Sequence, residues 1–186
     1  MQMICLCVLA QTFRHGGRIM NVMDAITARR SIRKYEDRPV EAEKLQKVLE
    51  SMRLAPSAGN GQKWKFFAVI NPEVIEKIGS ICLGTPDWIK HAPIILVAAG
   101  YGPGIMTCGH DASSVDLTIP MSYATLEAVE LGLGTCLIAS YKQEDVCEIL
   151  GLDDSWRIPM IATLGYPAED PEARSRRSAE EVIQIV

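Results

Sequence analysis

Apolar positions along the chain recur at spacings that switch between three-to-four and two, and the switches divide it into helices and strands. Asn21 is placed to cap a helix whose short apolar face is Val22, Ala25 and Ile26, and which ends at a cluster of arginines. Pro39 interrupts the chain, and 40–54 reads as the next helix, with Leu45, Val48, Leu49 and Met52 at core spacing. Residues 55–62 form a loop of Pro, Ser, Gly and Asn, and 64–70 is an aromatic and β-branched strand. Asn71-Pro72 opens a helix carrying Val74, Ile75, Ile78 and Ile81. Residues 92–99 are almost continuously apolar, as in a strand buried on both faces, and 100–108 is glycine-rich and irregular. The longest helical pattern, 111–131, is apolar around most of its circumference, with Pro120 expected to kink it or to start a second helix. After the glycines at 132 and 134 come a strand at 135–140, a helix over 143–150 stopped by Gly151, and a strand at 158–164. The tail from Pro167 is polar. Helices and strands interleave, so an α+β fold (an α/β sandwich) is expected, as one domain over 21–186.

Residues 1–20 stand apart from this pattern. Their apolar run at 4–10 is followed, not preceded, by Arg14, His15 and Arg18, the reverse of a signal peptide. The expectation is a disordered or adventitious extension, with Met20 or Met23 as the functional beginning.

Composition changes the picture mainly by exclusion. A formal net charge of -4 over 186 residues argues against nucleic acid as the main partner. The apolar runs are too short to span a membrane. Six cysteines show no CxxC spacing; Cys136 and Cys147 fall within apolar patterns, and reduced thiols in a cytoplasmic protein are the simplest account. Three histidines form no HExxH or related zinc motif, so no metal is expected. There is no P-loop or GxSxG elbow, and Gly100-Tyr101-Gly102-Pro103-Gly104 lacks dinucleotide-fold spacing.

Two segments carry candidate chemistry. Ala28-Arg29-Arg30-Ser31-Ile32-Arg33-Lys34-Tyr35 concentrates cations and a hydroxyl on an otherwise acidic chain. Guanidinium forks fit phosphate oxygens, and such charge-assisted bonds contribute about 1.5–3 kcal/mol each. A solvated basic helix end is the competing reading, since cations favour helix C-termini. A phosphorylation site or a weak nucleic-acid contact has nothing nearby to support it. The second segment, Leu54-Ala55-Pro56-Ser57-Ala58-Gly59-Asn60-Gly61-Gln62-Lys63-Trp64, joins a helix to a strand with little bulk. It lets a flat ligand approach the backbone, with Asn60 and Gln62 able to donate and accept hydrogen bonds.

Together these segments closely resemble the nitroreductase family of FMN-dependent oxidoreductases. The stretch Leu131-Gly132-Leu133-Gly134-Thr135-Cys136-Leu137-Ile138-Ala139-Ser140 is similar to the family's LGLGTCWIG-type strand, and 174–183 to its basic C-terminal segment. The resemblance implies a central mixed β-sheet flanked by helices in a homodimer. It implies that Arg29, Arg30, Ser31 and Arg33 hold the FMN phosphate and the pyrimidine edge of the flavin. Pro56, Ser57, Ala58, Asn60 and Gln62 match a loop supplied by the other subunit. Leu137, Ile138 and Ala139 would lie along the flavin, and Arg174 and Arg176 would return to the phosphate. Lys63 stands where the family usually has proline, Leu137 replaces a frequent tryptophan, and Ala139-Ser140 replaces a glycine-rich or Glu-Gly pair.

The implied activity is ping-pong hydride transfer from NADH or NADPH, through flavin N5, to a nitroaromatic, quinone, enone or free flavin. No catalytic side chain is required. Two alternatives remain open at this level: a flavin-binding or electron-relay module without turnover, and a specialised flavin enzyme on the same fold. The sequence does not choose between NADH and NADPH. The pattern over 111–131 suits a dimer-core helix and a monomer's central helix equally. Trp64, Trp88 and Trp156 read as packing, and Asp111 as a helix cap. Cys82 and Cys108 flank a stretch where members of the resembled family often carry specificity-shaping helices, and are candidates for redox activity.

Overall fold

Asn21 caps the first helix, α1 (Val22–Ala28), through a reciprocal pair: its side chain accepts from the Asp24 N–H, and the Asp24 carboxylate accepts from the Asn21 N–H. That satisfies two donors the chain would otherwise leave open. The computed structural model describes residues 14–15, 18–84, 87–102 and 104–186. Ahead of α1, β1 (Arg14–His15) and β2 (Arg18–Ile19) pair as a small antiparallel ladder; residues 1–13, 16 and 17 of the expected extension lie outside the described residues.

The chain continues through α2 (Ala42–Arg53), β3 (Trp64–Val69), α3 (Pro72–Ile81), β4 (Ile94–Tyr101), α4 (Ala112–Glu130) and β5 (Gly134–Ile138). It ends with α5 (Gln143–Leu150), β6 (Trp156–Arg157), β7 (Ile161–Gly165) and the short α6 (Ala179–Val182). Single 3-10 turns at Ala58–Asn60 and Asp87–His91 interrupt the connecting loops. The main sheet runs β3-β4-β7-β5, with β6 paired to the end of β4. All its ladders are antiparallel. The parallel contribution is a single bridge from Ser31 to Thr135, on β5.

Alternation along β4 builds the core on both faces. Ile94, Leu96 and Ala98 pack with α2 and α4 through Val48, Met52, Leu117 and Met121. Ile95, Val97 and Ala99 pack with α3 and α5 through Ile75, Ile78 and Val146. The expected continuous burial of this strand is present, and the architecture is a three-layer α+β sandwich.

Three expectations shift. The irregular stretch begins later than residue 100, because Gly100 and Tyr101 remain in the ladder opposite Trp64 and β6. A Cβ on Gly100 would lie 3.0 Å from Leu117 Cδ1 and 3.3 Å from the Lys63 carbonyl, so this glycine permits close packing and makes no turn. The strand expected at 158–164 starts later, at Ile161 in β7, and a separate short strand, β6, precedes it at 156–157; Pro159, which has no N–H for a ladder, lies between them. Pro120 lies buried within one unbroken helix. An interior proline costs about 3 kcal/mol. Leu117 and Met121, fully packed on either side of it, each return about 1.5–3 kcal/mol by burial.

Candidate functional site

The arginine segment is held against the sheet by backbone bonds on both sides. Ile32 N–H donates to the Thr135 carbonyl at 2.9 Å on one flank. On the other, Glu36 N–H donates to Tyr166 O and Ala168 N–H to Lys34 O, each at 2.9 Å. Between them the Tyr35 hydroxyl donates to Ile32 O at 2.7 Å and is 2.6 Å from Thr163 Oγ1. Burial pushes the Tyr35 phenol well above its ordinary value, with the Thr163 hydrogen bond pulling the other way.

Two glycines make the fit possible. Gly134 and Gly165 face each other across the β5–β7 ladder. A Cβ on Gly134 would sit 2.6 Å from Ile32 Cγ1, and one on Gly165 would sit 2.7 Å from Pro93 Cδ and 2.9 Å from Tyr35 Cδ1. Ile32 and Tyr35 fill the space that side chains would take.

So anchored, the segment forms one wall of a cavity of about 510 Å³, and the tail forms the other. Arg29, Arg30, Ser31 and Arg33 face it from the first wall, and Arg174 and Arg176 from the second, with Ile26, Thr27 and residues 171–173 completing it. The Arg30 guanidinium donates to Thr27 O and Arg29 O, and that of Arg176 to Arg174 O and Ser175 O. Among the described residues, none of these five arginines forms an ion pair. Glu172 is the one acidic lining residue, so the lining is strongly cationic and suited to a phosphate-like dianion. Behind it, burial raises the Cys136 thiol, opposed by Arg33, a hydrogen bond with Ser31 and Arg29.

Other expected positions lie elsewhere in the protomer. Ala58 and Gly61 line a separate cavity of about 120 Å³ with Lys63, Tyr101 and Asp116. Ala58 N–H donates to Asp116 Oδ1 at 3.0 Å, Gln62 N–H to Ser57 Oγ at 3.0 Å, and Gln62 Nε2 to Asn60 Oδ1 at 3.2 Å. Asn60 and Gln62 have φ of 53° and 47°, and Pro56 is exposed, so the loop presents its small residues and backbone outward. Leu137 is 41% exposed and Ala139 exposed, but the Ile138 side chain packs into the core, leaving its backbone as the part a ligand could meet.

A family model described as the nitroreductase family matches residues 26–88 and 80–166. A Methanothermobacter thermautotrophicus protein, provisionally named NADH dehydrogenase/NAD(P)H nitroreductase, is 34% identical over 83% of this chain and 82% of its own length. The chain belongs to the nitroreductase family. An FMN reductase [NAD(P)H] of Bacillus subtilis is 31% identical over 87% of this chain and 72% of its own. The solved FMN-dependent nitroreductase of Clostridium difficile R20291 superposes with a TM-score of 0.76 at 28% identity, covering 87% of this chain and 98% of that one. In this nitroreductase-family chain the first basic segment falls inside the matched region, whereas Arg174 and Arg176 lie beyond it. Their place in the cavity rests on the fold alone.

The structure also assigns the residues left without a role. Trp64 and Trp156 pack with Phe66 and Tyr101, and Trp88 packs against the α3–α5 core. Asp111 caps α4 by accepting from Ser114 N–H. Cys136 and Cys147 are buried as expected. Cys82 is buried too, and burial pushes its thiol up to about 11, which disfavours the reactive thiolate; Cys108 is exposed. Glu169, Tyr35 and Thr163, which fix the arginine segment, were not singled out in the sequence. Glu169 sits in a non-periodic tail, and Tyr35 gave no signal beyond its place in the motif. Among the described residues no helix is long and apolar enough to cross a membrane, and no cluster of acidic, histidine or cysteine side chains suits a metal.

Proposed function

We propose that this chain is an FMN-dependent NAD(P)H oxidoreductase that reduces a small acceptor of the nitroaromatic, quinone or enone class. The observation that carries the reading is the meeting of two cationic segments, far apart in sequence, at one cavity, where among the described residues none of their five lining arginines forms an ion pair. Arg29, Arg30, Ser31 and Arg33 hold the FMN phosphate and pyrimidine edge from one side, and Arg174 and Arg176 approach the phosphate from the other. When bound, FMN supplies reversible hydride transfer in a ping-pong cycle between the nicotinamide donor and the acceptor. Leu137, Ile138 and Ala139 would lie along the flavin, with backbone N–H groups near Ala139 or Ser140 available to stabilise negative charge on the ring.

The names of the Bacillus subtilis and Clostridium difficile relatives agree with this cofactor. A homodimer completes the site: the loop Pro56, Ser57, Ala58, Asn60 and Gln62 lines none of its own basic cavity and serves that of a second copy. Val22, Met23 and Ile26 on α1 and Val115 and Tyr123 on α4 are exposed apolar side chains that suit burial between copies.

Fluorescence titration of FMN against the wild type, Arg33→Ala and Arg174→Ala tests the reading. Loss of one charge-assisted contact, about 1.5–3 kcal/mol, weakens FMN binding roughly 10- to 100-fold. A wild-type protein that takes up no FMN overturns the proposal. Steady-state oxidation of NADH and NADPH with an acceptor panel then defines the reaction.

A further inference from the structure

The two arginine-bearing walls are joined by a residue that does not itself line the cavity. Glu169 follows β7 by four positions, is half-buried, and aims its carboxylate across at the first basic segment. Its Oε1 accepts from Arg33 N–H at 2.5 Å and from Lys34 N–H at 3.2 Å. Ala168 N–H donates back to Lys34 O at 2.9 Å, so three bonds close a short ring between residues 33–34 and 168–169. Just beyond Glu169 the chain turns into the tail that carries Arg174 and Arg176 to the same cavity. Among the described residues no other side-chain hydrogen bond joins residues 28–35 to 168–176.

We propose that Glu169 is a positioning residue for the anion site: it sets the spacing of the two cationic walls by binding adjacent backbone N–H groups of the first. The proposal rests on the FMN reading above for its ligand. The sign of the effect separates it from a simple electrostatic role. A carboxylate acting only as a counter-charge repels a phosphate, so its removal tightens binding. A carboxylate acting as a clamp, when removed, lets the walls part and weakens binding.

The test compares Glu169→Ala and Glu169→Gln with the wild type. Glutamine keeps an acceptor oxygen for both N–H groups and drops the charge. FMN affinity is read by fluorescence titration, and exchange of the Arg33 and Lys34 amide protons by NMR. Glu169→Ala is expected to weaken FMN binding at least 10-fold and to speed both amides at least 10-fold. Glu169→Gln restores both to within about 3-fold of wild type. If alanine prevents folding, Glu169→Asp, one methylene short, gives intermediate loss in both readouts. Unchanged or tighter binding in Glu169→Ala, or a glutamine variant as impaired as alanine, overturns the proposal. If the wild type itself takes up no FMN, the flavin reading fails separately. The clamp then stands or falls on amide exchange and on titration with inorganic phosphate.

Discussion

Gly134→Ala tests how the basic segment is seated. The new Cβ would lie 2.6 Å from Ile32 Cγ1, 2.9 Å from Ile32 Cβ and 3.1 Å from Ile32 Cγ2. Carbon atoms pack at roughly 3.5–4 Å, so Ile32 must retreat by about 1 Å. It has little room, being 6% exposed and tied by its own N–H to Thr135 O at 2.9 Å. Overpacking of this kind costs about 1–3 kcal/mol. Replacing a flexible glycine returns about 0.4–1 kcal/mol through the unfolded chain. The net loss of about 1–2 kcal/mol corresponds to roughly 2–8 °C in Tm for a chain of this size. Retreat of Ile32 carries Ser31 and Arg33 with it, so FMN affinity should fall at least 10-fold. Ile32→Ala removes two of the three clashing atoms, and the double variant should be at least about 1 kcal/mol more stable than the two single losses summed. Urea denaturation of the four proteins gives the cycle. Wild-type Tm and FMN affinity in Gly134→Ala, or strict additivity with Ile32→Ala, would refute the seating argument.

Two further outcomes follow from the same geometry. Tyr35→Phe strips the fully buried Thr163 hydroxyl of its 2.6 Å partner, leaving a 3.5 Å contact to Cys136 O, and should cost about 1–3 kcal/mol in urea unfolding at pH 7. Because the folded-state phenol titrates above the ordinary 10.0, its contribution is fully present below pH 10 and is lost as pH rises further, when the unfolded chain releases this proton first. Wild-type stability should therefore fall more steeply above pH 10 than that of Tyr35→Phe; Tyr141, raised by burial as well, leaves a residual slope in the variant. Equal slopes would show that Tyr35 is not protected in the fold. Asp116→Ala removes the acceptor for Ala58 N–H and should speed exchange of that amide at least 5-fold, with under about 1.5 kcal/mol lost overall; an unchanged exchange rate would mean the loop holds itself.

Local chemistry was legible in the chain itself. The Asn21 and Asn71 caps and the stop at Gly151 with φ of 68° depend on neighbours a few residues away, and the unbroken apolar run of β4 marked its burial on both faces; each appeared where its pattern placed it. The two basic segments and the small-residue loop were likewise visible as motifs. What the chain could not show was anything set by contacts distant in sequence. Gly100 read as the start of an irregular stretch and is a packing gap for Leu117. Pro120 looked like a break and is held by burial on both sides of it. Ile138 sits in a motif beside the expected flavin, yet the pleat turns its side chain inward, since a strand's alternation fixes which face each residue serves once its partners are chosen. Glu169 carries no signal until β7 delivers it beside Arg33, 136 residues away in the chain. Which groups could bind an anion was readable from residue types and their spacing; which of them meet depends on packing, because the folded sheet is what brings residues 29–33 and 174–176 to one cavity.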